Sequence, residues 1–258
     1  MKSVKELEKE LNSKVESYYK NNLGFKGSKG VYTFGEVTVC FSSTNYPGNI
    51  NIKPRFSKNI DGMSDIYKLI PGMLPNSPAL VYTQNHESVL SLGFEQDDRI
   101  FNSPSHHLGE KPIIDNFGYP APHWNYYFDF EDGIDLQPFL DEHFYFYEKY
   151  IEPTFNKINT IDDLFQFYNQ IIIDQPLSLC QETDFVLRVA RLHRIKGLTD
   201  GLLLARMVDY PDMEELIIKY NLIYTSTPSK KTPVLQLHYL KKVFGDDYFH
   251  LLTEKLTS

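Results

Sequence analysis

The chain has 258 residues, of which 41% are hydrophobic and 23% charged, with a formal net charge of −8. These are ordinary globular values that exclude a disordered or fibrous chain, and the length fits one large domain or two small ones. No apolar run approaches the ~18–20 residues of a transmembrane helix, and the opening MKSVKELEKELNSK is charged and amphipathic, unlike a signal peptide.

The first predicted element is a helix. Ser3 and Glu6 match a capping box, in which hydroxyl and carboxylate satisfy otherwise orphaned amides. Val4, Leu7, Leu11, Val15 and Tyr18 then recur at three- and four-residue steps, and the helix should end near Asn21–Asn22 with Gly24 as a left-handed cap. Val31–Phe34 reads as a short strand. Val37, Val39 and Phe41 alternate with Thr38, Cys40 and Ser42, as in a half-buried strand. After the turn signal Tyr46-Pro47-Gly48-Asn49, residues Ile50, Ile52, Arg55 and Phe56 mark the returning strand. Its Pro54 predicts an edge or a bulge. Asp61–Ile70 suggests a short helix, and Ala79–Thr83 and Ser88–Phe94 two further strands.

Residues 95–124 have no convincing period and read as a functional loop, a lid or a poorly ordered segment. Tyr126, Phe128 and Phe130 alternate with Tyr127, Asp129 and Glu131, predicting an aromatic strand with one wet face. The pattern then turns helical. Asp135 can cap a helix with the stripe Leu136, Phe139, Leu140, Phe144, Tyr147 and Ile151, ended by Pro153. Thr160 and Asp163 form a second capping box, opening a helix with Leu164, Phe165, Tyr168 and Ile172. Phe185, Val189, Leu192 and Ile195 predict another, followed by helices over Leu202–Val208, Pro211–Tyr220 and Val234–Phe244. The expected fold class is α+β: an N-terminal helix plus antiparallel sheet over residues 1–132, followed by a mainly helical region over 133–258 packed against it, the two parts forming separate or continuous domains.

The charge is unevenly placed. Residues 95–163 carry fifteen acids against four bases, whereas residues 1–30 carry seven lysines against four glutamates. A nucleic-acid binder needs a basic face to displace counterions from phosphates, so this balance argues against a nucleic-acid partner. Two cysteines, Cys40 and Cys180, cannot make a disulfide framework and point to a reducing, cytoplasmic compartment.

His106, His107 and His123 lie in the irregular loop with Asp115 between them, and imidazoles can hold a catalytic zinc. Adjacent histidines diverge, however, and no His-Glu-x-x-His or Cys-x-x-Cys spacing is present, so no metal or other cofactor is expected. Asp129, Glu131, Asp132 and Asp135 crowd one segment without the calcium-loop spacing, and a solvated strand end explains them. GFKGSKG, with Gly24, Gly27 and Gly30, lacks the phosphate-loop pattern and reads as a helix-to-strand turn. Arg188, Arg191 and Arg194 suit a phosphate or an acidic partner, or neutralise this chain's own acids. No nucleophile elbow occurs, and a thiol in a strand such as Cys40 is by default a small buried hydrophobe.

The opening helix, LGFKGSKGVYTF and the alternating strand pair over residues 5–56 resemble uncharacterised bacterial domain-of-unknown-function proteins. Those proteins begin with a helix, a Gly-Phe-Lys step and an antiparallel sheet. The resemblance implies a bacterial protein and assigns no functional residue.

Two readings follow. One is a non-enzymatic, immunity-protein-like binder whose acidic, aromatic surface, with Trp124, Tyr126, Tyr127, Asp129 and Glu131, meets a basic protein partner; neither nucleic acid nor membrane is expected as a partner. The other is a hydrolase-like enzyme in which histidines and carboxylates of the 95–124 loop act as acid, base or metal ligands.

Overall fold

A computed structural model describes residues 3–46, 49–67, 78–84, 88–89, 92–94, 113–114, 120–121, 126–129, 136–193 and 198–226. They form an α+β protein with two compact units. One unit comprises Met1–Asn59, Pro78–Ile114 and Pro120–Asn156; the other comprises Ile60–Ser77, Asp115–Tyr119 and Lys157–Ser258.

The first unit opens with α1 (Val4–Glu16), capped as the sequence predicts. Glu6 N–H donates to Ser3 Oγ, and Ser3 N–H donates to Glu6 Oε2 at 2.7 Å. A π-helical turn, Ser17–Asn22, continues it, and Gly24 takes the left-handed conformation at φ +72°. The π turn lets two consecutive residues, Tyr18 and Tyr19, both reach the core.

The sheet contains β1 (Lys26–Ser28), β2 (Val31–Phe34), β3 (Val37–Tyr46), β4 (Asn49–Lys58) and β5 (Leu80–Thr83) in that spatial order. A short two-stranded pair, β6 (Ile113–Ile114) and β7 (Pro120–Ala121), lies apart from it. β8 (Tyr126–Asp129) is antiparallel to β4 along its first half. GFKGSKG thus contains a whole strand: Ser28 pairs with Val31 across the two-residue turn Lys29-Gly30, both at positive φ.

Register explains which side chains are inside. Tyr32, Val39, Phe56 and Tyr82 are successive Cα partners across β2, β3, β4 and β5, and all four are buried. One residue along, Thr33, Thr38, Ser57 and Val81 form the outer row, each at least partly exposed. Each buried large apolar side chain of the inner row contributes roughly 1.5–3 kcal/mol.

Pro54 lies in neither an edge strand nor a bulge. It sits in central β4, and the β3–β4 register runs unbroken from Val37↔Lys58 to Tyr46↔Asn49. Phe41, its partner, sends its N–H to Gly30 O at 2.7 Å, away from β4, so the imino nitrogen of Pro54 also faces away from β3. On that side β8 pairs only as far as Ile52 and β5 begins at Arg55. Proline occupies the gap between two partners, where its missing N–H breaks no ladder bond.

The segment expected as a strand over Ser88–Phe94 also differs. Ser88 and Val89 are helical, Leu92 N–H donates to Ser88 O at 2.9 Å, and Gly93 takes φ +84°. Val89 and Leu92, three apart, are both buried, a helical rather than an alternating spacing.

α3 (Gln137–Phe146), a π-helical turn Tyr147–Ile151 and α4 (Glu152–Lys157) complete the first unit's described elements. The N-cap of α3 is Leu136, without a side-chain cap, and the Asp135 expected there lies outside the described residues. Its buried positions include His143 and Phe146, while Phe144 is half-buried. α1 and α3 both cover the inner face of the sheet: Tyr19 stacks on Tyr32 at 5.6 Å and Phe146 on Phe56 at 5.5 Å. Lys58, at the end of β4, is buried with its ammonium on the Phe155 carbonyl in the last turn of α4, a favourable place for a cation.

The second unit contains α2 (Met63–Tyr67), α5 (Ile161–Ile173), a 3₁₀ turn Leu177–Leu179, α6 (Thr183–Leu192), α7 (Leu198–Met207) and α8 (Met213–Ser226). α7 begins earlier than predicted, and Pro211 precedes α8 instead of opening it. The last predicted helix, Val234–Phe244, lies outside the described residues.

The second capping box is present: Asp163 N–H donates to Thr160 Oγ1 at 3.1 Å and Thr160 N–H to Asp163 Oδ2 at 2.9 Å. Thr160→Ala removes one half of it. The expected cost is about 1 kcal/mol, read as a lower urea midpoint with unchanged slope. Thr160→Ser should restore most of the loss, because the hydroxyl acceptor returns.

Candidate functional site

The first unit's apolar core contains one chain of polar groups. Tyr19 Oη lies 2.8 Å from His143 Nε2, His143 Nδ1 lies 2.6 Å from Gln84 Oε1, and Gln84 Nε2 lies 3.3 Å from Glu142 Oε1. All four residues are buried.

The direction of the chain follows from what each group can do. A carboxylate only accepts, so the Gln84 amide donates to Glu142 and leaves its oxygen toward His143. His143 therefore carries its proton on Nδ1 and accepts at Nε2 from the Tyr19 hydroxyl. Burial pulls the His143 pKa down from 6.5 to about 3, so the ring is neutral at pH 7. Burial also pushes the Tyr19 phenol well above its ordinary value. Phe56 stacks on the imidazole at 5.4 Å, and Phe41 lies 4.6 Å away.

Two π-helical turns flank this chain. Tyr19, from the first, meets Tyr147, from the second, edge to face at 5.3 Å, and Tyr18 donates to Glu148 Oε1 at 2.7 Å. An acid–base catalyst needs a pKa near its working pH and reach to a substrate proton. His143 has neither: it is fully buried and both ring nitrogens are engaged. The chain ties α1, the end of β5 and α3 together, a positioning role within the core.

The helical unit has its own polar centre. Tyr220 Oη donates to Asn169 Oδ1 at 2.8 Å, and the Asn169 amide donates to the carbonyls of Phe165 and Gly201, each at 3.1 Å. His193 Nε2 donates to the Tyr168 carbonyl at 3.0 Å. A Cβ built on Gly201 would stand 1.9 Å from Tyr220 Oη and 2.9 Å from His193 Cε1. The glycine is what admits this cluster between α5, α7 and α8. In the same unit Lys219, buried and ion-paired with Glu215 at 2.8 Å, donates to the Ile173 carbonyl at the end of α5.

The binding candidates read from sequence divide. Tyr126, Tyr127 and Asp129 lie in β8, as Cα partners of Ile52, Asn51 and Asn49. Tyr126 thus takes the register position of a buried isoleucine, and Tyr127 and Asp129 take the alternate positions. Trp124, Glu131, Asp115, His106, His107 and His123 lie outside the described residues, as does Arg194. Arg188 is exposed on α6, Cys40 is half-buried and Cys180 is buried; both thiols are free. Among the described residues no group of three or more His, Cys, Asp or Glu side chains converges as metal ligands would. None of their helices is long and apolar enough to cross a membrane.

Sequence reading missed Tyr19, Gln84, Glu142 and His143 as a group. One signal was present: His143 stands four after Phe139 and three before Phe146, at the spacing of the buried stripe. A polar residue at that position needs a buried partner, but Gln84 and Tyr19 are far away in sequence.

The fold and these two centres define a two-unit α+β protein with polar networks locked inside both cores. Comparison with protein-family models, curated proteins and solved structures finds no match for the chain.

Proposed function

We propose that this is a non-enzymatic binding protein of the immunity-protein-like kind, bacterial and cytoplasmic, whose acidic, aromatic segment around β8 meets a basic protein partner rather than nucleic acid or a membrane. The observation that carries this reading is the fifteen-to-four excess of acids over bases in residues 95–163, coincident with Trp124, Tyr126 and Tyr127. Aromatic anchors ringed by polar residues are the usual make-up of energetic hot spots, and a one-signed field steers an oppositely charged partner. The buried, neutral state of His143 also supports it, because this histidine is withdrawn from solvent instead of poised at a cleft.

The test is affinity for a partner isolated from the host and then purified. Trp124→Ala should leave the melting temperature nearly unchanged and weaken the complex by about 2 kcal/mol, roughly thirtyfold. If Trp124 instead pins the segment to a core, the variant loses about 3–5 kcal/mol of stability. Unaltered affinity in a stable variant removes Trp124 from the interface. About one zinc or iron per chain, lost on replacing His106, His107 and His123, would overturn the reading as a whole.

A further inference from the structure

In the helical unit α5 ends at Ile173, and the chain turns through Pro176 into the 3₁₀ turn Leu177–Leu179. The backbone holds this turn: Leu179 N–H donates to Pro176 O at 3.0 Å, Cys180 N–H to Leu177 O at 3.2 Å and Glu182 N–H to Leu179 O at 3.1 Å. Cys180 is fully buried and anchors the end of the turn, which leaves Leu177 and Leu179 each 42% exposed. Two large aliphatic side chains on a preformed turn present apolar area at little ordering cost.

Their surroundings are acidic. Residues 158–187 contain no lysine or arginine. Asp174, Glu182, Asp184, Asp212 and Glu214 are exposed, and among the described residues none of them is ion-paired. Of the bases in these elements, Lys219 is buried and already paired with Glu215, and Arg188 stands exposed on α6 one turn beyond Asp184, at the rim of the acidic stretch. Asp174, Asp212 and Glu215 act together on Tyr210, raising its phenol further than burial alone. The start of α8 and the end of α5 therefore share one negative field.

We propose that the Leu177–Leu179 turn and its flanking carboxylates form a docking surface for a basic protein segment, which seats apolar side chains on the two leucines and lysine or arginine against Asp174, Glu182 and Asp184. Charge complementarity chooses this occupant. A second copy would bring the same negative field, and an anionic bilayer would be repelled at the depth where leucines insert. The inference rests on the reading of the chain as a binder of basic protein and adds a contact region distinct from β8.

The probe is an amphipathic helical peptide of leucine and lysine, titrated into the full chain, with polylysine and phosphatidylcholine–phosphatidylserine vesicles alongside. The expected result is saturable one-to-one binding of the leucine–lysine peptide that weakens at least tenfold in Leu177→Ser/Leu179→Ser. A similar loss is expected in Asp174→Asn/Glu182→Gln, with a shallower salt dependence. The second variant keeps every apolar group, so it decides the matter if the serine variant melts early. Absence of peptide binding, equal affinity for polylysine, or no effect of both variants overturns the proposal. So does vesicle binding or self-association that depends on the two leucines. Tyr127→Ala/Asp129→Ala serves as the separate arm. If it alone weakens the peptide, the turn is not the site while the proposed function stands; if neither pair does, both fail for basic segments.

Discussion

Gly201→Ala is expected to destabilise the helical unit by about 2–4 kcal/mol, although the same change in an exposed helix would stabilise it. Gly201 lies inside α7, where alanine is favoured by about 1 kcal/mol on intrinsic propensity. Sterics oppose that gain. The added methyl would meet Tyr220 Oη at 1.9 Å, Tyr220 Cζ at 2.7 Å and His193 Cε1 at 2.9 Å. These atoms are not the loose ends of flexible side chains. Tyr220 is fully buried and bonded to Asn169, and His193 is bonded to the Tyr168 carbonyl. Overpacking of a dense core costs about 1–3 kcal/mol, and a displaced Tyr220 hydroxyl adds about 1 kcal/mol or more from the lost bond to Asn169. Urea unfolding should show the loss as a lower midpoint. In the Gly201→Ala background, Tyr220→Phe removes the nearest colliding atom, so the two changes should cost less together than their separate effects added. A midpoint equal to or above that of the parent protein would show that α7 and α8 part without penalty.

Acid should unfold the sheet unit through His143. In the native state its pKa is about 3, whereas an unfolded histidine has about 6.5. Between those values the unfolded chain binds a proton that the native chain excludes, so stability falls as pH drops below 6.5 and is undiminished above it. The slope from this one group approaches about 1.4 kcal/mol per pH unit, and across the window it sums to roughly 4–5 kcal/mol. The cause is structural: protonating Nε2 would put a charge among Phe56, Phe41 and Phe139 and would oppose the Tyr19 O–H that now points at it. Measured between pH 6.5 and 5, stability should decline more steeply in the parent protein than in His143→Gln, which has no titrating ring. The variant will be less stable at pH 7, so the slopes are compared and not the absolute values. Equal slopes, or a His143 ring resonance that titrates near pH 6.5 in the folded protein, would remove this residue as the acid-sensitive group.

Features that depend on near neighbours are legible along the chain. The Ser3–Glu6 and Thr160–Asp163 capping boxes each lie within one helical turn and appear as predicted. Strand alternation over Val37–Ser42 placed Val39 inward, and the apolar steps of α1 placed Leu7, Leu11, Val15 and Tyr18 in the core. The order of helix, sheet and helices, and hence the α+β class, follows from those local periods.

Features that depend on partners distant in sequence emerge only from packing. Pro54 reads as an edge signal because proline lacks a donor, but which side of a central strand has a gap is set by β5 and β8, some 30 and 70 residues further on. Ser88–Phe94 reads as a strand along the chain, whereas the burial of Val89 and Leu92 belongs to a helical turn. His143 looked like one more polar residue in an aromatic helix. Its role exists only because α1, through its π turn, delivers Tyr19 to one ring nitrogen while the residue after β5 delivers Gln84 to the other. Gly201 likewise carries no local mark, since its need for a missing Cβ comes from Tyr220 on another helix. Local hydrogen bonds and periods are encoded within a few residues; buried polar partners and close approaches are encoded in the packing, because desolvation and sterics act between elements.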